Sequence, residues 1–214
     1  MATTTAALFD LDGVIIDTEP HYTTFWDTIR QKYYPNNPDF ALSVKGQTLV
    51  YILDKFFPEP ADGQAVREAL DNFEAQMQYP FVPGALHFVT ALREAGIPTA
   101  VVTSSDKTKM KNVYSQHPQL ASLFTAILTA EDTSRSKPAP DCYLIAAKRL
   151  GADISQSVVF EDSFNGLKAG RASGAKVIGL STTNSPDAIA SLSDLVIPDF
   201  SNFTVADVRH LLER

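Results

Sequence analysis

The sequence predicts an α/β fold: a doubly wound, Rossmann-like core around a parallel sheet, with a small α-helical segment inserted after the first strand. Three observations carry that prediction. Short apolar runs, each ending in polar residues, recur along the 214 residues. Helical stretches alternate with them, which implies right-handed crossovers between parallel strands. Residues 19–82 break the alternation and contain no run of that kind.

The elements follow in order. "AALF" before Asp10 is the first strand, "TAVV" before Thr103 the second, and "TAIL" at Thr125–Leu128 the third. "SVVF" before Glu161, "AKVIGL" at Ala175–Leu180 and the weaker "DLVI" at Asp194–Ile197 complete the set. Runs this apolar read as strands buried on both faces. "GALHFVTALREAG" (Gly84–Gly96) places Leu86, Val89 and Leu92 at helical spacing, with Pro83 ahead and Gly96 as its stop. "DCYLIAAKRLG" offers Asp141 as N-cap and Gly151 just past the end, and "NGLKAGRASG" forms a helix after the fourth strand. Within residues 19–82 the helical candidates are His21–Lys32, Thr48–Phe57 and Gln64–Gln78, separated by the breakers "YPNNP" and "FFPEPADG". The expected division is therefore a core of residues 1–18 plus 83–214 and a helical insert of residues 19–82.

Composition narrows the partners. Apolar residues are 44% of the chain, enough for a sizeable core. Asp and Glu number 25 against 18 Lys and Arg, and no basic run stands out, so a nucleic-acid partner is not expected. An anionic small substrate would need local groups or a metal to attract it. Cys142 is the single cysteine, which excludes an internal disulfide and fits a reducing compartment; it reads as a small buried apolar residue. The first residues carry no basic cluster or long apolar run, and nothing approaches the ~20 residues of a membrane span. The expectation is a soluble, cytoplasmic protein that acts as a monomer.

In an open parallel sheet, ligands bind outside the carboxyl ends of the strands. Asp10, Thr103 and Glu161–Asp162 fall at such ends, and Lys137 follows the third strand by a short loop. Carboxylates gathered at one rim repel each other unless a cation neutralises them, and an oxygen-rich set with few protein ligands suits Mg²⁺. A phosphate oxygen could complete that coordination, with Lys137 and the Thr103 hydroxyl on the others. Asp10 then suits a nucleophile on phosphorus, and Asp12 an acid that protonates the leaving oxygen and later takes a proton from water. Gly13 lets the backbone turn just past them. Taken singly, each feature has a plainer reading: Asp10–Asp12 as a solvated loop, Lys137 as a surface lysine, Thr103–Ser105 and Glu161–Asp162 as caps of the helices that follow, Phe25 and Trp26 as packing.

Four motifs occur in order across nearly the whole chain. "DLDGVIIDTE", "TAVVTSS", "SKPAPDCYLIAAKRLG" and "VVFEDSFNGLKAGRASG" resemble the four motifs of the haloacid dehalogenase (HAD) superfamily. The helical segment between the first two resembles its small-cap subgroup, which includes phosphatases of small phosphates and β-phosphoglucomutase. The resemblance implies Asp10 as nucleophile and metal ligand, Asp12 as acid/base with its carbonyl on Mg²⁺, Thr103 and Lys137 on the phosphoryl group, and Asp162 and Glu161 at the metal, Glu161 directly or through water. Thr18, His21, Lys45, Gly46, Gln47, Ser104, Ser105 and Asn165 are the candidates for contact with the substrate. Dehalogenases of the superfamily lack the second aspartate, so Asp12 argues against dehalogenation.

The resemblance implies a Mg²⁺-dependent phosphohydrolase of small phosphorylated metabolites, of the sugar-phosphate kind, acting through an aspartyl-phosphate. The alternative is a sugar phosphomutase of the β-phosphoglucomutase type. Such mutases carry an arginine three residues after the cap-loop glycine, where this chain has Leu49, and a lysine late in the cap, where it reads "NFEAQMQ". Their cap histidine lies one residue later than His21. A more distant alternative is a non-enzymatic, phosphate-responsive module of the receiver type, but such modules are shorter and have no inserted cap.

Overall fold

The computed structural model describes residues 5–213; residues 1–4, part of the expected core span, and Arg214 lie outside the described residues. Six strands, β1 (Ala7–Phe9), β2 (Thr99–Val102), β3 (Ala126–Leu128), β4 (Val158–Glu161), β5 (Lys176–Leu180) and β6 (Leu195–Ile197), form one parallel sheet in the order β3-β2-β1-β4-β5-β6. All six apolar runs become strands. The order reverses between β1 and β4, and Phe9 stands opposite both Val101 and Phe160 in the register. That reversal opens a crevice at the carboxyl ends of the two central strands.

The central strands are buried on both faces, as their composition demands. Side chains alternate along β1, so Leu8 faces one layer of helices and Phe9 the other. Phe9 stacks on Phe160 at 4.5 Å between ring centroids, with Phe88 and Phe200 packed edge-on or tilted against them. The edge strands depart from the expectation of two-sided burial. Ala126 and Ile127 of β3 are half-buried and Leu195 of β6 is exposed, because each edge strand has a neighbour on one side only.

Four helices lie between β1 and the rest of the core: α1 (Glu19–Tyr33), α2 (Phe40–Val44), α3 (Leu49–Phe56) and α4 (Pro60–Gln76). The short α2 was not anticipated; its five residues are too few for a periodic signal. α4 begins four residues earlier than its pattern indicates. Pro60 takes a first-turn position, where its missing N–H costs nothing, so "PEPADG" opens the helix instead of breaking it. Phe25 and Trp26 pack inside this layer, with the rings of Phe25 and Phe73 5.0 Å apart. The chain enters and leaves the insert side by side: the Asp17 amide donates to Pro80 O (2.7 Å) and the Val82 amide to Ile15 O (3.0 Å).

The remaining helices flank the sheet: α5 (Ala85–Glu94), α6 (Lys107–Gln116), α7 (Leu120–Leu123), α8 (Asp141–Arg149), α9 (Phe164–Ser173), α10 (Pro186–Ile189) and α11 (Val205–Leu212). Three cap expectations are corrected. Asp106, not Thr103–Ser105, caps α6 by accepting the Lys109 amide. Ser163, not Glu161 or Asp162, caps α9 by accepting the Gly166 amide. Pro140 stands at the N-cap of α8, and Asp141 is its first helical residue, ion-paired with Arg135. The first two corrections shift the cap toward the helix, leaving the strand-end residues free for other work. Cys142 is buried in α8, and burial pushes its thiol up to about 11.

Candidate active site

Asp10 follows β1 directly, and its amide donates to Phe160 O of β4 (3.0 Å), which pins it at the crevice. Glu161 ends β4, Asp162 follows it, and Thr103 follows β2. Lys137 arrives from the loop after β3. Its ammonium donates to Asp10 Oδ1 (2.6 Å), Glu161 Oε1 (2.7 Å) and Val102 O (3.1 Å), which uses all three of its donors. The sequence expectation put Lys137 on a phosphoryl group. In the structure it lies buried beneath Asp10, is absent from the cavity wall, and balances the carboxylates from below.

Carboxylate oxygens of Asp10, Glu161 and Asp162 lie within 4.8 Å of one another, and all three residues are buried. Burial lifts the Asp10 carboxyl to about 7, against the pull of Lys137 and with repulsion from Glu161 and Asp12 added. Burial also raises Asp162 well above the carboxylate range, with Glu19, Glu161 and Asp10 adding to it. Burial works against the charge on Lys137, but Asp10 and Glu161 outweigh it and hold the ammonium well above its ordinary value. One buried ammonium among three converging carboxylates leaves an excess of negative charge that a divalent cation would neutralise, so this donor set fits Mg²⁺.

The three carboxylates are not equally available. Glu161 is saturated: Oε1 accepts from Lys137 and Tyr143 (2.9 Å), and Oε2 from the amides of Asp162 (3.0 Å) and Ser163 (3.1 Å) and from the Ser163 hydroxyl (3.1 Å). Asp162 accepts from the Thr183 hydroxyl, while its backbone carbonyl accepts from Asn184 (2.9 Å). Gly13 has a φ of +73°, and a Cβ there would overlap the Asp162 carboxylate. The glycine therefore serves the turn and the close approach together.

Asp12 is not part of that trio and has its own set of partners. Its carboxylate accepts from the hydroxyls of Thr18 and Ser105 (3.0 Å to the latter) and from Lys109 Nζ, 2.5 Å from each oxygen. Thr18 is fully buried, engaged by Asp12 and absent from the cavity wall, so it supports Asp12 and does not reach a substrate. Thr103 does line the cavity. Its oxygen accepts the Ser105 amide (3.0 Å), which leaves the hydroxyl proton to donate.

A cavity of about 100 Å³ lies between the insert and the strand ends. Asp10, Asp12, Thr103, Ser105 and Asp162 form its floor; Tyr22, Trp26, Leu49, Ile52, Leu70 and Glu74 form its roof. His21 is exposed and outside it. The turn of α1 that carries His21 outward brings Tyr22 inward, and Trp26 follows one turn on. The loop Lys45–Thr48 was expected to face the substrate. Lys45, Gly46 and Gln47 do line the cavity, but they are also fastened to the core. Asn165 Nδ2 donates to Lys45 O (2.8 Å), Ser104 Oγ to Gly46 O (2.9 Å), Ser136 Oγ to Gln47 Oε1 (3.0 Å), and the Thr48 amide to Ser136 Oγ (2.9 Å). Asn165 is thereby a clasp and not part of the cavity wall; Ser104 does both.

The site also holds residues that sequence reasoning missed. Glu19 is paired with Lys45 at 2.6 Å. Glu74 accepts from the Tyr22 hydroxyl (2.6 Å) and is lifted to about 7 by burial, against the pull of Lys109. Lys109 and Tyr143 complete the list. Glu19 and Tyr143 lie within the first and third motifs, which assign them no part; Glu74 and Lys109 carry no motif signal, Lys109 being one of three lysines in "DKTKMK" and turned inward only by the phase of α6.

Residues 4–174 match the family model for haloacid dehalogenase-like hydrolases. The chain is 31% identical over 206 residues to hexitol phosphatase A of Escherichia coli (strain K12), covering 92% of each. It is 29% identical over 202 residues to validoxylamine A 7'-phosphate phosphatase of Streptomyces hygroscopicus subsp. limoneus, covering 91% of this chain and 93% of that one. Its fold is similar to that of a HAD hydrolase, family IA, variant 3, from Entamoeba histolytica HM-1:IMSS, with a TM-score of 0.83 at 24% identity over 99% of this chain and 100% of that one.

Proposed function

Because the chain belongs to the haloacid dehalogenase-like hydrolase family, we propose that it is a Mg²⁺-dependent phosphatase of small phosphorylated metabolites, of the sugar-phosphate kind. The observation that carries this reading is the pairing of two differently placed carboxylates: Asp10 in the buried trio over Lys137, and Asp12 apart from it at the cavity. Phosphatase relatives at 29–31% identity over nine-tenths of the chain support the reaction class.

Asp10, Asp162 and the Asp12 carbonyl would hold Mg²⁺, with Glu161 behind them, and the ion would neutralise charge on the transferring phosphoryl group. Asp10 attacks phosphorus, forming the aspartyl-phosphate as the bond to the leaving oxygen breaks. Asp12 delivers its proton to that oxygen, then accepts a proton from the water that attacks the same phosphorus and frees Asp10. The Thr103 hydroxyl donates to a phosphoryl oxygen. Lys137 favours the ionised form of Asp10 and seats it from below, and Glu161 keeps Lys137 in place.

The cavity roof favours hydrolase over mutase. A mutase holds a second phosphate, a task suited to arginine. Here the roof presents Leu49 and Glu74, and the cations in the wall are engaged, Lys45 by Glu19 and Lys109 by Asp12. The test is phosphate release across a panel of sugar and polyol phosphates, run beside a β-glucose-1-phosphate to glucose-6-phosphate assay, with Asp10→Asn as control. Phosphate release that Asp10→Asn lowers by ~10³-fold or more is expected. Isomerisation without phosphate release would overturn the proposal.

A further inference from the structure

Lys109 has no part in the reaction as described so far, yet it is the cation closest to the proposed acid/base. Its backbone is set by the α6 cap, where Asp106 accepts the Lys109 amide at 2.9 Å. Its side chain is 4% exposed, and at the cavity wall its ammonium meets a carboxylate and an aromatic ring. Nζ lies 2.5 Å from each oxygen of Asp12 and 4.5 Å from the centroid of the Tyr22 ring. Tyr22 comes from the insert and is itself fixed by its hydrogen bond to Glu74.

The contacts of Asp12 divide the labour. Thr18 touches Oδ1 and Ser105 touches Oδ2, each through a hydroxyl that can rotate. Lys109 alone spans both oxygens, so it decides which way the carboxylate faces. A lysine is a point charge with three donors and tolerates this geometry, but it needs a wall behind it. The face of the Tyr22 ring supplies that wall and a favourable cation–π contact.

We infer that Lys109 is a positioning residue, whose ammonium, seated on the Tyr22 ring, holds the Asp12 carboxylate in the orientation that serves the leaving oxygen. The inference rests on the reading of Asp12 as acid/base. Lys109 neither gives nor takes the proton; that proton passes from Asp12 to the leaving oxygen as the bond to phosphorus breaks.

The experiment is a leaving-group series. p-Nitrophenyl phosphate leaves with little need of a proton, whereas an alkyl phosphate needs one. Lys109→Met, Lys109→Arg, Tyr22→Phe, Tyr22→Leu and Asp12→Ala are compared on p-nitrophenyl phosphate and on the alkyl phosphate hydrolysed fastest in the panel. Lys109→Met is expected to lower kcat/KM, which reports formation of the aspartyl-phosphate, about tenfold more for the alkyl ester than for the aryl ester. Lys109→Arg restores part of the loss; Tyr22→Phe, which keeps the ring but loses the bond to Glu74, keeps the parent's ratio between the two esters whatever its overall rate, and Tyr22→Leu shows a smaller loss of the same selectivity. Lys109→Met adds nothing to Asp12→Ala on the alkyl ester. Equal losses on both esters in Lys109→Met, with selective loss in Asp12→Ala, would overturn the inference and leave the acid/base reading standing. Equal losses in Asp12→Ala as well would remove that reading, and the inference with it. If Lys109→Met fails to fold, the Tyr22→Leu and Tyr22→Phe pair decides by the same comparison.

Discussion

At the scale of single residues, two positions show how buried charge is accommodated. Gly166 lies in the first turn of α9, and a Cβ there would occupy the space of the Glu161 carboxylate. Alanine is the better helix former, so glycine is present for room. Gly166→Ala should displace Glu161 from Lys137 and Tyr143 and lower stability by about 1–3 kcal/mol from overpacking alone, read as a fall in the thermal midpoint; an unchanged midpoint would contradict this account. Glu74 is the second case. Burial lifts its carboxyl from the ordinary 4.5 to about 7. A raised folded-state value means the folded protein binds this proton more tightly than the unfolded chain. Its contribution to stability is therefore full below about pH 4.5 and is lost as pH rises toward 7, by roughly 3 kcal/mol. Glu74→Gln keeps an acceptor for the Tyr22 hydroxyl and removes the titration. Between pH 5 and 8 its thermal midpoint should fall less than that of the parent; parallel curves would count against a buried, proton-binding Glu74.

At the scale of elements, the loop between α2 and α3 is the joint between insert and core. Its residues Lys45–Thr48 are tied down by Asn165, Ser104 and Ser136, which come from three separate segments that also border the site. Gly46 has a φ of +73°, and a Cβ would press to 2.5 Å from Ser163 Oγ. Gly46→Ala should lift the loop off the core and open the roof. The expected effect is a roughly tenfold loss in kcat/KM, the equivalent of ~1.4 kcal/mol. The two connections at Ile15–Asp17 and Pro80–Val82 are untouched by the change, so the fold itself should survive it. Steady-state kinetics beside circular dichroism checks both halves, and unaltered kcat/KM would mean that the loop does not shape the cavity. The element scale also accounts for what the chain hides from inspection. The start of α4 was obscured because proline and glycine read as breakers until the first-turn position of Pro60 is known. α2 was obscured because one turn of helix leaves no periodic trace.

At the scale of the whole molecule, the site exists because a parallel sheet collects the ends of its strands. Residues from position 10 to position 162 meet there, and the carboxylates among them outnumber the buried ammonium that balances them. Removing divalent metal with a chelator should abolish phosphate release, and adding Mg²⁺ should restore it. A ligand that binds only the folded state stabilises it, by about 2.7 kcal/mol at a hundredfold excess over Kd, so Mg²⁺ should also raise the thermal midpoint, and less so in Asp162→Asn. Full turnover in chelator would contradict the metal reading. Much of this was legible in the chain itself. Asp10, Asp12, Thr103, Lys137, Glu161 and Asp162 were named from apolar runs and motif order, because strand ends follow directly from where an apolar run stops. The sequence by itself determined the fold class, the six strands and the residues that crowd the rim. Only the tertiary structure decided how those residues divide the work. It turned Tyr22 inward and left His21 outside, buried Lys137 beneath Asp10, made Asn165 a clasp, and brought Lys109 to Asp12. The reason is physical: an apolar run declares that a segment is buried, but which polar side chain faces which partner depends on helix phase and on contacts made across the full length of the chain.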